Sequence, residues 1–467
     1  MPPDHSKSGD AEHIESMSTR SRPEEMKPDC DSDFSPEEEK KLVRKIDLFL
    51  MPTIWLMYLL SYMDRTNIGN AKIAGMMDDL HLTSSEYSVS LVVFFISYVV
   101  FEVPSNLILS RTRPSRFLPA IMFLWGAITC CMAVIRNYHQ LVALRFVMGI
   151  FEAGFAPGIL LILSSWYKKN EQSKRFGIYI SAAVLSGAFG GLLAGAITEN
   201  LDGAHGIAGW RWLFIVEGTA TCGWAIISSF ILLDFPATTA KFSERERQVA
   251  IQRLAANNIA AHTADEESIG TIQALIQSVR DWRTWLMVVG YMVIVGSSTL
   301  SYFYPTLVAG LGYTSHAAQY MVVPIYGASF LLVGLLTYTL DLHPHRRAAA
   351  IAACLAFATA ASIAVAACSP TAYAARYALL VVMAAALWSA NALALALASS
   401  AFGARPRAVR AVSLALVNAL GNLAQIYGAY LFPARDAPAY RMGFGVVSGM
   451  CGLGVGVYAV AQVVVRR

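Results

Sequence analysis

Charge is scarce in this sequence. Asp, Glu, Lys and Arg make up 15% of its 467 residues, where soluble domains carry about 25%, so a water-facing surface cannot be assembled over most of the chain. A net charge of +4 is too small to argue for nucleic acid, whose binding rests on neutralising many phosphates. The seven cysteines are scattered and show no metal-ligand spacing. They read as small buried hydrophobes, and neither a metal nor a cofactor is expected. No Asn-x-Ser/Thr sequon occurs, compatible with very short outside loops. A phosphate-binding glycine loop ending in Lys-Ser/Thr and a nucleophile elbow are both missing. ATP-driven pumping is thereby disfavoured, and an enzyme is not expected.

What is present in excess is apolar sequence: 56% of residues, with a mean hydropathy of +0.49. Runs long enough to cross a bilayer as helices, ~17–25 residues, recur twelve times. Their approximate bounds are 50–71, 87–110, 117–135, 140–165, 176–197, 212–234, 285–309, 317–340, 348–368, 377–402, 411–432 and 442–465. One long polar break, 235–284, divides them six and six. The expectation is an all-α membrane protein of twelve transmembrane helices in two six-helix bundles, 46–234 and 285–467, joined by that linker. Residues 1–45 are polar and mixed in charge and lack the apolar core of a signal peptide, so they read as a disordered tail.

Basic residues set the orientation. With the N-terminus in the cytosol, the short inside loops carry Arg111, Arg113, Arg116, Lys168, Lys169, Lys174, Arg175, Arg346, Arg347, Arg405, Arg407 and Arg410, about twice the outside number. The positive-inside rule then puts both termini and the linker on the cytoplasmic side, most simply of the plasma membrane.

Charges that do enter the apolar runs are costly, roughly 2.5–3.5 kcal/mol each on insertion scales, and mark a path or a site. Span one carries Asp64 and Arg65 in SYMDRTNIGNA; span four carries Arg145 and Glu152 in RFVMGIFEAGFAPG. Arg145 and Glu152 are seven apart, two turns along one helix face. Counting the helical rise puts Asp64 about 24 Å and Arg145 about 22 Å into a core of about 30 Å, so acid and base on the two spans can pair. An arginine holds a carboxylate at any working pH, and a desolvated acid can load and release a proton. Tyr98 in span two offers a mid-depth hydroxyl or simply an aromatic packed between helices. The second half has few charges and much alanine. Its polar and aromatic candidates are Tyr291, Tyr302, Phe303 and Tyr304 in span seven, Trp388 and Asn391 in span ten, and Asn418, Asn422 and Gln425 in span eleven; Asn418 and Asn422 share a face, either to bind substrate or to glue helices.

The stretches KLVRKIDLFLMP, SYMDRTNIGNA, FFISYVVFEVPSN, LRFVMGIFEAGFAPG, GIAGWRWLFIVEG, LLDFPATTAKFSERER and GNLAQIYGAYLFPARDAPAY resemble the fungal allantoate permease-like family, in the anion:cation symporter branch of the major facilitator superfamily. The resemblance covers nearly all of residues 41–445. It implies two six-helix bundles that rock about a central site, and proton-coupled uptake of a small organic anion by a monomer. It further implies that Asp64 and Glu152 couple protons, and that Arg65, Arg145 and Tyr98 contact substrate. Span ten and the loop ALASSAFGARPRAVR depart from the family's pattern, so the second-half contacts, Trp388, Asn391 and Asn418, follow less directly. A second reading is an exporter of an acidic secondary metabolite, although GAFGGLLAG in span five has no antiporter-type proline. A third is a sensor that has lost turnover, against which the intact charged set stands.

Overall fold

In the computed structural model, which describes residues 34–259, 271–402, 405 and 407–465, helices account for the regular structure and no strand occurs among the described residues. Among the described residues, eleven helices are long and apolar enough to cross a membrane. The remaining expected span, 411–432, is divided at Leu423 into Arg407–Asn422 and Ala424–Gly428. Gly421 and Asn422 are weak helix formers. The glycines also admit neighbours: a side chain at Gly421 would meet the Tyr291 ring, and one at Gly428 would meet Thr299.

The first helix does not begin at the expected boundary of 46. It starts at Pro36, because Ser35 and Glu38 form a capping box, Glu38 N–H to Ser35 Oγ at 3.1 Å and Ser35 N–H to Glu38 Oε2 at 3.0 Å. Three glutamates in the first turn face the helix's positive end. Residues 36–45 are therefore helix rather than tail; residues 1–33 of the expected tail lie outside the described residues.

In the first half, span one (Pro36–Ala71) packs on span five (Lys169–Asn200) and span six (Gly209–Ile231). Span three (Pro114–Cys131) lies on span six, and span two (Ser84–Arg111) on span four, which is Tyr138–Glu152 continued by Phe155–Trp166. Glycine sets two of these crossings. A Cβ on Gly218 would lie 2.7 Å from the Gly126 carbonyl, so spans three and six meet backbone to backbone. Gly149 likewise lets span four close on Phe94 and Ser97 of span two. In the second half, span nine (Arg347–Ala367) packs on spans ten (Tyr373–Ala401) and twelve (Arg441–Val465), and span seven (beginning Trp282–Ser298) packs on span eleven.

The linker is fastened to each half separately. Its first helix, Glu244–Ile259, docks on the first half through Arg253, which is fully buried; its Nη2 lies 2.6 Å from both Glu171 oxygens, its Nε 3.1 Å from Glu39. Lys45 adds a pair with Glu246 at 2.8 Å. The second linker helix, Thr271–Arg280, sits on span eleven, where Ser278 Oγ donates to the Val409 carbonyl at 3.1 Å.

The two halves meet at the membrane face opposite the linker, the far side. Among the described residues six hydrogen bonds join them: Ser88 to the Ala429 carbonyl, Thr198 to Gln319, Ser315 to the Ile73 carbonyl, Gln319 to the Asn70 carbonyl, Tyr320 to Glu199, and the Ala434 N–H to Ser84. All six come from far-side helix ends. Gly69, Gly191 and Gly195 bring the backbones together there, against Tyr302, Gln319 and Tyr320 respectively.

Candidate functional site

Successive residues on a helix point about 100° apart, and that turn sends Asp64 and Arg65 to different neighbours. Arg65 faces span four. Its Nη2 and Nε donate to Glu152 Oε1 at 2.6 and 3.1 Å, and Ser61 Oγ, one turn earlier, donates to the same oxygen at 2.7 Å. Both partners are buried, 8% and 1% exposed. Aromatic faces wrap the guanidinium: its carbon lies 5.0 Å from the ring centres of Tyr62 and Tyr98 and 5.5 Å from Phe94. An arginine so placed gains cation–π stabilisation in a region where water does not compete.

Asp64 turns the other way, toward spans three and six. Its Oδ2 accepts from Trp125 Nε1 at 3.1 Å and from Thr221 Oγ1 at 2.8 Å, while Oδ1 has no partner among the described residues. Pairing across spans one and four is thus made by Arg65 with Glu152, and Asp64 ion-pairs with no arginine among the described residues.

Arg145 is 1% exposed and lies 5.6 Å from the Phe94 ring centre, so one phenyl group contacts both guanidinium ions. Among the described residues its Nη1 reaches only the Met148 sulfur at 3.8 Å, and Nε and Nη2 have no partner, nor does Glu152 Oε2. Leaving a buried donor unsatisfied costs about 1–3 kcal/mol, more for a charged group. Unsatisfied guanidinium donors gathered around one ring can donate charge-assisted hydrogen bonds to an acidic group.

The second-half residues behave differently. Asn391 accepts from the Tyr291 hydroxyl at 3.4 Å, Asn418 from the Asn422 amide at 3.4 Å, and Trp388 packs on Tyr326 with ring centres 6.2 Å apart. Each is engaged within its own half. Tyr302 carries that half toward the charged cluster: its ring lies 5.9 Å from Phe95 of span two, and its hydroxyl donates to Gln425 Oε1 at 3.2 Å. Asn422 in turn accepts from Gln425 at 3.3 Å, so a chain of neutral groups runs from Tyr302 to Asn418.

Sequence reading did not single out Ser61, Trp125, Thr221 or Glu217, and named Tyr302 only among the polar and aromatic candidates of span seven. Serine, threonine and tyrosine give little signal in an apolar run. Glu217 gave as clear a signal as Glu152, a single acid inside the 23-residue helix Gly209–Ile231, and it is 1% exposed with neither oxygen bonded.

A family model described as Major Facilitator Superfamily matches residues 54–429. Among known proteins the chain is similar to the MFS transporter prlL of a fungal species, 38% identical over 66% of this chain and 63% of that protein. It is also similar to the high-affinity nicotinic acid transporter of Saccharomyces cerevisiae, 32% identical over 62% of this chain and 53% of that one. The match spans less than two thirds of either relative's length. Among solved structures, a bacterial homolog of the human lysosomal transporter Spinster, inward-facing and occupied, superposes with a TM-score of 0.63 at 14% identity, covering 92% of this chain and 96% of that one. The nucleoside transporter NupG gives 0.61 at 12% identity, covering 88% and 99%; at such identities the likeness shows the fold alone. With the family model matched from span one to the end of span eleven, on a frame of two six-helix halves, the chain belongs to the major facilitator superfamily.

Proposed function

We propose that the chain is a secondary active transporter that takes up a small organic anion with protons, in the anion:cation symporter branch of its superfamily, with the linker side in the cytosol of a plasma membrane. The observation that carries this reading is the buried Arg65–Glu152 pair beside an Arg145 whose Nε and Nη2 lack partners. A substrate carboxylate and the Glu152 carboxylate compete for the same guanidinium. Protonating Glu152 removes its charge and releases Arg65 to hold the incoming carboxylate, bidentately as arginine prefers. The Arg145 donors complete the anion's hydrogen bonds. Loading a proton thereby raises affinity for the anion, and releasing it lets Glu152 reclaim Arg65 and expel the anion. The far-side hydrogen bonds between the halves fit a protein resting open to the linker side, and the similarity to a nicotinic acid transporter fits a carboxylate substrate.

The test is uptake of labelled nicotinate and a panel of other monocarboxylates by permease-deficient yeast expressing the chain. Acidifying the medium is expected to stimulate uptake of at least one carboxylate, and an uncoupler to abolish it. Uptake indifferent to the uncoupler, or none for any carboxylate, sinks the reading; retention of an acidic metabolite on gene deletion would favour the export alternative.

A further inference from the structure

Seven charged residues are buried among the described residues: Asp64, Arg65, Arg145, Glu152, Glu217, Arg253 and Arg376. Of these, Glu217 is the one that makes no hydrogen bond with either oxygen. An ionised carboxylate taken from water and left unbonded costs several kcal/mol, and a buried group in that position takes a proton instead. Glu217 lies eight residues into span six from Gly209, about 12 Å from its far-side end, and Asp64 lies seven residues from Ala71, about 10 Å from the same side. The depths agree. Thr221, one turn beyond Glu217 on the same helix face, donates to Asp64 Oδ2 at 2.8 Å, and the other Asp64 oxygen is unpartnered.

The surroundings isolate this pair of acids. From span one Asp64 acts electrostatically on Glu217. From spans three and six the thiols of Cys130 and Cys222 sense Asp64, as do Glu152 and Arg145 of span four. Span five brings no charged residue over 176–197, Tyr179 being its titratable group.

We propose that Glu217 is a proton-carrying residue, in a site beside Asp64 between spans one, three and six that is distinct from the Arg65–Glu152 pair. Trp125 and Thr221 both donate to one Asp64 oxygen, whereas nothing among the described residues donates to Glu217, so Glu217 keeps its own proton at rest. On release the O–H bond of Glu217 breaks, the proton passes to water on the side then open, and the negative charge stays on Glu217. The inference rests on the proton-coupled reading above, and it adds a second protonatable site that no arginine competes for.

The test is infrared spectroscopy of the purified protein in liposomes without substrate, following the carbonyl stretch of protonated carboxyl groups as pH is varied. The wild type is expected to show such a band at neutral pH, Glu217→Gln to diminish it, and Glu217→Asp to keep it at a shifted position. In Asp64→Asn the Glu217 part of the band is expected to remain but titrate differently. An undiminished band in Glu217→Gln overturns the proposal. In transport, Glu217→Gln is expected to lose proton-coupled accumulation at least tenfold more than it loses substrate counterflow; equal loss of both makes Glu217 structural and equally overturns it. Because the band is read without substrate, a wild type that shows it yet moves no proton with any carboxylate defeats the symport reading and leaves the Glu217 proton standing.

Discussion

The two halves share one helical plan and divide the chemistry unequally. Five buried charges, Asp64, Arg65, Arg145, Glu152 and Glu217, lie inside the first bundle, whereas the second buries Arg376 alone among its described residues. Arg376 sits at the far-side start of span ten and donates to the Pro438 and Ala439 carbonyls at 2.8 and 3.0 Å, a backbone tie rather than a site. Facing the charged half is a wall of tyrosine and amide side chains. Under the proposed function, the difference divides the work: one half supplies charge recognition and the other neutral contacts that sort members of a substrate class.

The strongest way to break this comparison is Arg65→Ala. It removes the guanidinium that holds the anion and strands Glu152 as a buried unpaired acid. Binding of the transported carboxylate is expected to fall more than a hundredfold, and stability by about 3–5 kcal/mol, read as a lowered Tm. Removing Glu152 as well is expected to restore much of the stability and none of the binding. If Asn391→Ala or Asn418→Ala matches Arg65→Ala in its effect on binding, the division of labour between the halves is wrong.

Glu152→Gln comes next. The neutral amide mimics the protonated acid, so exchange of substrate across the membrane continues while uphill accumulation drops at least tenfold. Accumulation at the wild-type level would show that Glu152 carries no coupled proton.

Packing offers a comparison that needs no substrate. Gly149→Ala drives a methyl group into Phe94 and Ser97, and is expected to cost about 1–3 kcal/mol by overpacking. Gly334 in span eight has open space around it, so Gly334→Ala is expected to be neutral or to stabilise by up to about 1 kcal/mol. Thermal unfolding of the two variants, compared with wild type, measures both.

The smallest expected effect is that of Tyr302→Phe. It deletes one hydroxyl bond to Gln425, worth about 0.5–1.5 kcal/mol, and should raise KM two- to tenfold with proton coupling intact. A collapse of coupling in that variant would place charge chemistry in the neutral half.

Much of the frame was legible before the structure. Twelve apolar runs and one polar break follow from bilayer thickness, and Ser35 with Glu38 already spelled a capping box that a purely compositional boundary at 46 ignored. The four charges of spans one and four were legible as well, because single charges in apolar helices stand out, but the depth count matched Asp64 with Arg145 and the structure pairs Arg65 with Glu152. Which side each acid faces was not. Asp64 and Arg65 are neighbours in sequence, and only the rotation of span one sends one to Trp125 and the other to Glu152. Tyr302 stood among the span-seven candidates, but its partners were not legible, because its place depends on how span seven bends through Thr299–Phe303.

The far-side seam has a consequence for timing. Six hydrogen bonds at roughly 1 kcal/mol net each make a latch strong enough to hold an empty carrier shut and weak enough to open without substrate doing all the work. Deleting one donor, as in Ser88→Ala or Ser315→Ala, changes the balance of open and closed forms by about fivefold without touching any group that meets the anion. Under the proposed function the seam acts as a clock rather than a lock: it sets how long the carrier waits, closed at the far side, before its next cycle.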